Sequence, residues 1–371
     1  MVEPGNLLSR RGPRTVPVVA ASTQLDARAG SDIFKRTMPG KFRVACTAAP
    51  FILVIAGLAL AFFSIPRTFP FPALPNPNGY DDFVKAGGSI TGDVTAAQGQ
   101  DLQVLRDLVS SNTEALRLVR HGLSCRCSFP TEIGLTNISG AMGHLANLRN
   151  VALLLRIAGQ LAERDGRLAD AAADYVDGVR FADESSRGGF IINLLVGHAC
   201  EAITRIPLAK LITRLDNAQA RAVLIQLCNH DQARGTFDEI LRNERQLMRH
   251  EILKDHNPLN WPISWWEARY MLKRTEMMDN AVVAHQRLLM IELALRCYRF
   301  DHGTAPNGLS ELVPEYLHRM PEDPFTSKDL IYRVQGTNWV AYSVGTDQVD
   351  DGGKPAPRKF PAKGDLLYDS P

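Results

Sequence analysis

The sequence predicts an α+β chain with a transmembrane helix, a mainly all-α helical domain and a small C-terminal α+β domain. Three observations support this fold class. Residues 44–65 carry no charged side chain, residues 80–280 repeat apolar residues at helical spacing, and two short β-type runs follow residue 329. The length of 371 residues favours more than one folded unit.

Composition excludes several classes of function. The formal net charge is only +2, so the chain lacks the basic excess of a nucleic-acid-binding protein, and we expect no nucleic-acid partner. Six cysteines in this length do not make a disulfide framework. Cys125 and Cys127 are separated by one residue, which is too close for a zinc knuckle. No nucleophile elbow, Walker loop or dinucleotide fingerprint is present in the sequence.

The apolar run 44–65 predicts a single transmembrane helix. About 20 apolar residues span the hydrocarbon core of a bilayer. A cleaved signal peptide has a shorter apolar core that begins nearer the N-terminus. The tail 1–43 is rich in arginine and lysine, whereas charges of both signs follow the run. The positive-inside rule therefore predicts a disordered cytoplasmic tail and a periplasmic C-terminal bulk, in a cell inner membrane.

Residues 66–79 contain closely spaced prolines, which favour an extended and semi-rigid chain. We expect this segment to be a linker that holds the following domain away from the bilayer. The helical domain should then occupy residues 80–280, because amphipathic periods recur there and β-branched residues are sparse.

One stretch of the helical domain, residues 152–183, has small residues and an aromatic at positions that suit two closely packed helices. These residues are Gly159, Gly166, Ala171, Tyr175 and Gly178. The small side chains let the helices approach, and the aromatic fills the gap between them. The stretch resembles one tetratricopeptide repeat. The alternative is a generic helical hairpin without a peptide groove.

Residues 281–371 change in character. A helix should end near Phe300, where the sequence Asp-His-Gly follows. The runs 330–334 and 339–344 surround a turn at Gly336 and predict an antiparallel hairpin.

Four motifs follow one another in this C-terminal region. They are Tyr-x-x-Asp-x-Gly-x-x-Pro from Tyr298, Gly-Leu-x-x-Leu from Gly308, Asp-Pro at Asp323, and Ser-x-Gly-x-Asp with paired glycines from Ser343 to Gly353. This ordered string resembles the soluble domain of the major pseudopilin of type II secretion systems. The resemblance implies a small α+β domain that binds calcium in its last loop. The chain departs from that family because its apolar run lies far upstream of the long helix, so we do not expect processing or polymerisation as a pilin.

Asp347, Asp350 and Asp351 are the candidate calcium ligands. Calcium takes about 6–8 oxygen ligands, and loops supply them from carboxylates and backbone carbonyls. Gly352 and Gly353 permit the tight curvature that such a loop needs. The alternative is a solvated acidic turn, which Asp and Gly favour for local reasons.

These features predict a membrane-anchored, non-enzymatic interaction or scaffold protein of the bacterial envelope, with protein partners. One alternative is a specialised subunit of a secretion machine. Another is an envelope hydrolase whose site is assembled from scattered residues such as His121, His144 and Glu251.

Overall fold

The chain divides into two compact units, Met1–Ile65 and Pro66–Pro371. The computed structural model describes residues 57, 72–97, 100–131, 138–254, 261–336, 338–355 and 363–370, without the side chains of 138–142, 249–254 and 261–268. The predicted tail 1–43 lies outside the described residues, and so does the predicted transmembrane segment 44–65 apart from Gly57. All other described residues belong to the second unit.

The second unit is mostly helical. In chain order its α-helices are α1 (Gly79–Ser89), α2 (Leu102–Ser111), α3 (Thr113–Ser124), α4 (Ile138–Arg164), α5 (Leu168–Ser186), α6 (Ile191–Leu211), α7 (Asn217–Ala233), α8 (Phe237–Lys254) and α9 (Trp261–His302). Short 3-10 turns lie at Ile212–Arg214, between α6 and α7, and at Leu309–Leu312 and Gly345–Asp347, after α9. The described residues between 80 and 280 contain no strand, which confirms the helical prediction for that region.

The predicted linker ends inside the folded unit. Asn78 is buried and caps α1, because its side chain accepts a hydrogen bond from the Tyr80 amide at 3.3 Å. The same side chain bonds both backbone groups of Ser128. The amide of Gly79 donates to the carbonyl of Arg126 at 2.9 Å. The last residues of the proline-rich segment are therefore anchored to the residues that follow α3.

The hairpin predicted from small residues is formed by α4 and α5. Gly166 turns the chain between them with a φ of +78°. A Cβ on Gly159 would lie 2.4 Å from Cε1 of Tyr175, so only glycine lets that ring pack against α4. A Cβ on Gly178 would lie 2.3 Å from Cγ2 of Thr204, which belongs to α6. The small residues thus set the spacing of α4, α5 and α6.

One hydrophobic core crosses the predicted boundary between residues 280 and 281. That boundary lies inside α9 (Trp261–His302). Leu208 and Leu224 share a buried cluster with Leu288, Leu317 and Leu330, and all of them are nearly inaccessible to solvent. A second cluster packs α1, α2 and α3 against α4. The C-terminal residues therefore complete the helical core of one unit, where two separate domains were expected.

The C-terminal hairpin is confirmed. Strands β3 (Ile331–Gln335) and β4 (Asn338–Tyr342) pair antiparallel, with Ile331 opposite Tyr342. A two-residue ladder joins β1 (Glu322–Asp323) to β2 (Lys328–Asp329). Trp339 of β4 donates its indole N–H to Oε2 of the buried Glu292 at 2.8 Å. Because Glu292 belongs to α9, this bond fastens the hairpin to the long helix.

Candidate interaction groove

The three predicted calcium ligands share one loop, but their carboxylates do not form a group of metal ligands. Oδ2 of Asp350 accepts a hydrogen bond from Nη2 of Arg333 at 2.7 Å, and its Oδ1 accepts one from the Tyr342 hydroxyl at 2.8 Å. Oδ2 of Asp347 accepts from the backbone N–H of Gly364 at 3.3 Å. Among the described residues, no group of three or more His, Cys, Asp or Glu side chains could hold a metal ion.

A guanidinium balances the charge of Asp350 in this loop. Hydrogen bonds from the amide of Gly352, from Tyr342 and from Arg333 hold the pKa of Asp350 below its usual range. The fully buried Asp365 accepts from the backbone N–H of Asp351 at 3.4 Å. A calcium ion bound by Asp350 would compete with Arg333 for this carboxylate.

The motif residues that resemble a pseudopilin connect the C-terminal region to the helices. Asp301 accepts hydrogen bonds from the hydroxyl of Tyr316 at 2.7 Å and from the side-chain amide of Asn217 at 2.8 Å. It also forms an ion pair with Arg221. Asn217 and Arg221 belong to α7. In this chain the aspartate of the first motif therefore holds the end of α9 against the helical core.

Two of the residues considered for a hydrolase, His121 and His144, make different contacts in the described part of the chain. His121 lies at the surface, where its Nδ1 is 2.7 Å from Oδ2 of Asp82. His144 lines a separate cavity of about 310 Å³ beside Tyr80. The side chain of Glu251 lies outside the described residues. No hydrogen bond or ion pair joins His121 to His144 in the described part of the chain.

Buried polar residues fix the position of α6. Nε2 of His198 lies 2.9 Å from Oδ1 of Asp279 on α9, and the same oxygen accepts from Nη2 of Arg234 at 3.2 Å. Glu201 and Arg205 form an ion pair at 3.1 Å, and both side chains are only 4% exposed. Buried charges are costly unless they are paired, so these contacts define which face of α6 turns inward.

One segment in the described part of the chain, Ile191–Arg214, is long and apolar enough to span a membrane. Half of its most apolar window is buried inside the protein. Glu201 and Arg205 lie in this segment, and their ion pair is buried within the unit. These contacts are those of a core helix.

The high hydropathy of α6 has a second source, which is its outward face. Ile192, Val196, Ala199, Ile203 and Ile206 follow one another at helical spacing. Ile192 is 43% exposed, Ala199 is exposed, and the other three are half-buried. A surface helix of a globular protein normally presents polar residues on its outward face. This face presents none between Ile192 and Ile206.

The apolar face borders a groove between α4 and α6, with a volume of about 480 Å³. Ile203, Ile206 and Pro207 supply apolar carbons from α6. Arg156 of α4 and Lys210 of α6 also line the groove. The arrangement offers an apolar surface and positive charge to one ligand.

The carboxylate of Glu163 also lines the groove, but it is already engaged. Its Oε1 accepts a hydrogen bond from the Tyr175 hydroxyl at 2.6 Å, and its Oε2 pairs with Nη1 of Arg214 at 2.7 Å. Burial is the largest influence that raises the pKa of Tyr175, and Glu163 raises it further. The Tyr175 hydroxyl therefore stays protonated, and both carboxylate oxygens of Glu163 are engaged by Tyr175 and Arg214.

The groove was not predicted from the sequence. The sequence does contain a pattern that could have indicated it. The apolar positions of α6 cover two faces of the helix, and Lys210 continues the outer face by one turn. Arg156 gives no such signal, since its relation to α6 arises only when α4 and α6 pack together.

Comparison of the chain with models of protein families, with curated proteins and with solved structures gives no significant match. The functional interpretation therefore rests on the residues of this chain.

Proposed function

We propose that this chain is a non-enzymatic interaction or scaffold protein that is anchored in the inner membrane of a bacterial cell. The observation that carries the proposal is the outward apolar face of α6, which runs from Ile192 to Ile206 beside the groove. Ile192 and Ala199 are exposed on this face, and Val196, Ile203 and Ile206 are half-buried, Val196 and Ile203 because they also pack against the second buried cluster. Apolar carbons that remain accessible along one helix offer a surface to another molecule. The stripe extends for about 20 Å along the helix at 1.5 Å per residue, which suits a segment of a partner protein better than a small substrate.

Membrane anchoring is part of the same proposal. It rests on the uncharged run 44–65 and on the basic tail 1–43. With the tail in the cytoplasm, the second unit lies in the periplasm as a single-pass protein.

A binding role is favoured over a catalytic role by the chemistry of the groove. Its described lining offers aliphatic carbons, two cations, an amide and an engaged carboxylate. Hydrolysis would need an activated nucleophile beside a base. The hydroxyl–carboxylate pair of the described lining is Tyr175 with Glu163, and the raised pKa of Tyr175 keeps its hydroxyl protonated. Association through apolar contacts needs neither group.

A role in secretion is a further part of the proposal. It rests on the resemblance of residues 281–371 to the major pseudopilin. In this view the C-terminal region docks to a secretion filament or its platform, while the groove holds another component.

Photo-crosslinking in the native host tests the interaction. A photoreactive phenylalanine analogue replaces Ala199, which is exposed on the outward face of α6. The matched control places the same analogue at Ile225, which is 60% exposed on α7 and lies outside the groove. We expect discrete adducts from position 199 and none from position 225. Equal adduct patterns from the two positions, or none from position 199, would refute the outward face of α6 as a binding surface.

The topology is tested separately. An impermeant thiol reagent should label a cysteine that replaces Asn76 in intact spheroplasts. A cysteine that replaces Arg11 should react only after the cells are lysed. Labelling of the second variant alone in intact spheroplasts would contradict the proposed orientation.

A further inference from the structure

The groove contains cations that have no acidic partner. Arg156 and Lys210 line it and form no ion pair within 4.0 Å among the described residues. Arg149 of α4, which lies outside the lining, has no ion pair there either.

Two arginines elsewhere in the unit are paired: Arg187 contacts two carboxylates, and Arg214 contacts Glu163. Within the part of the chain that the structure describes, cations without an ion pair also occur elsewhere, since Arg164 of α4 contacts only the backbone carbonyl of Gln100. What distinguishes the groove is that its two unpaired cations lie beside apolar side chains.

Arg156 is the most informative of these cations. It is only partly exposed, and its Nε is buried without a hydrogen-bond partner among the described residues. Burial is the largest influence on its pKa and lowers it, and the neighbouring Arg149 lowers it further. A guanidinium that has lost water without gaining an acceptor raises the free energy of the unliganded protein. An anion in the groove would stabilise the charge of this guanidinium from the side that lines the cavity, while Nε itself stays enclosed.

The apolar part of the groove decides what kind of anion fits. Ile203, Ile206 and Pro207 lie beside Arg156 and Lys210 in the lining of the same cavity. A free inorganic anion would leave these carbons in contact with water. A ligand that carries apolar side chains and carboxylates along one chain satisfies both parts of the lining.

We propose that the groove between α4 and α6 binds an acidic amphipathic peptide segment of a partner protein, with a carboxylate on Arg156 and apolar side chains on Ile203 and Ile206. This inference rests on the proposed function and specifies the chemistry of its partner. The planar guanidinium of Arg156 can bind a carboxylate through two parallel hydrogen bonds. Lys210 lies one turn beyond Ile206 and supplies a second positive charge at the exposed end of the groove.

A peptide selection tests the proposal without a known partner. The full chain, held in detergent micelles, is the target for a displayed library of random 15-residue peptides. The same selection is made on a variant with Arg156→Gln and Lys210→Gln, and on a control variant with Arg117→Gln. Arg117 is an exposed arginine of α3 outside the groove, and it pairs with Glu114.

We expect selected peptides to be acidic and amphipathic on the unmodified chain and on the Arg117→Gln control. The double variant should lose this enrichment. The leading peptide, labelled with fluorescein, should bind at least about tenfold more weakly to Arg156→Gln by fluorescence anisotropy, as loss of a charge-assisted hydrogen bond predicts. Replacing its Asp and Glu by Asn and Gln should cause a similar loss, and should remove its sensitivity to Arg156→Gln.

Different failures have different meanings. If selected peptides are apolar without excess acid, and Ile206→Asn abolishes their binding, the groove is an interaction surface but the acidic partner is refuted. If no peptide is selected, both the proposed interaction function and the acidic-peptide proposal are refuted. If vesicles of phosphatidylglycerol bind through Arg156 while peptides do not, the occupant is a lipid and the peptide proposal is overturned. Circular dichroism of each variant verifies that its helices are retained.

Discussion

Gly178→Ala should weaken the packing of α5 on α6. A Cβ at this position would lie 2.3 Å from Cγ2 and 2.7 Å from Cβ of Thr204. Thr204 is fully buried, and its hydroxyl donates to the carbonyl of Glu201 at 3.2 Å. Rotation of the Thr204 side chain can move Cγ2 but cannot move Cβ. The two helices must therefore separate to admit one methyl group.

The magnitude follows from two opposing effects. Alanine is about 1 kcal/mol better than glycine in the interior of a helix. Overpacking costs about 1–3 kcal/mol, and a contact with a Cβ atom belongs near the upper end of that range. Gly178→Ala should therefore lower the free energy of unfolding by about 2 kcal/mol.

Gly143→Ala is the matched control because Gly143 also lies inside a helix, α4. A Cβ added there would have no neighbour within 4 Å among the residues that the structure describes. It should raise stability by up to about 1 kcal/mol. Thermal unfolding, followed by the circular dichroism signal of the helices, measures both changes. The unfolding midpoint should shift by about 2 °C per kcal/mol for a unit of this size. If Gly178→Ala unfolds at or above the midpoint of the unmodified chain, the close approach of α5 and α6 is refuted.

Two further predictions concern pH and calcium. Burial lowers the pKa of His285 to about 3 and that of His230 to about 4, so these rings stay neutral in the folded protein while the unfolded chain takes up protons below about pH 6.5. The free energy of unfolding should fall as the pH drops from about 6.5 towards 4, by about 2 kcal/mol for each ring at pH 5. His285→Gln should remove about half of this dependence of stability on pH. An unchanged dependence would contradict the conclusion that His285 is buried as a neutral ring. Millimolar calcium or a chelator should leave the unfolding midpoint unchanged, because Arg333 and Tyr342 already hold Asp350. Stabilisation of about 2.7 kcal/mol, as expected at a hundred times the dissociation constant, would instead establish a calcium site.

Several elements were predictable from the sequence because they depend on local patterns. The helices of the region 80–280 follow the period of their apolar residues, and Gly303, with a φ of +74°, ends α9 two residues beyond the predicted end. The β3–β4 hairpin follows two β-type runs around Gly336. Gly159 and Gly178 were recognised as close-approach positions because only small residues fit between packed helices.

Tertiary structure decided the features that join distant parts of the chain. Arg205 donates to the backbone carbonyl of Tyr368 at 3.2 Å, so the C-terminal residues belong to the helical core although 163 positions separate the pair. Asp350 could be recognised as an acidic loop residue, but its pairing with Arg333 depends on how the loop folds back over β3.

The groove has the same origin. The apolar stripe of α6 can be recognised in the sequence. That it faces outward follows from the buried contacts of His198 and Glu201 on the opposite side of the helix. Arg156 lies on a different helix and becomes part of the groove only when α4 packs beside α6. Helical period reports which residues share a face, whereas only long-range packing determines which face remains open and which charges are left without a partner.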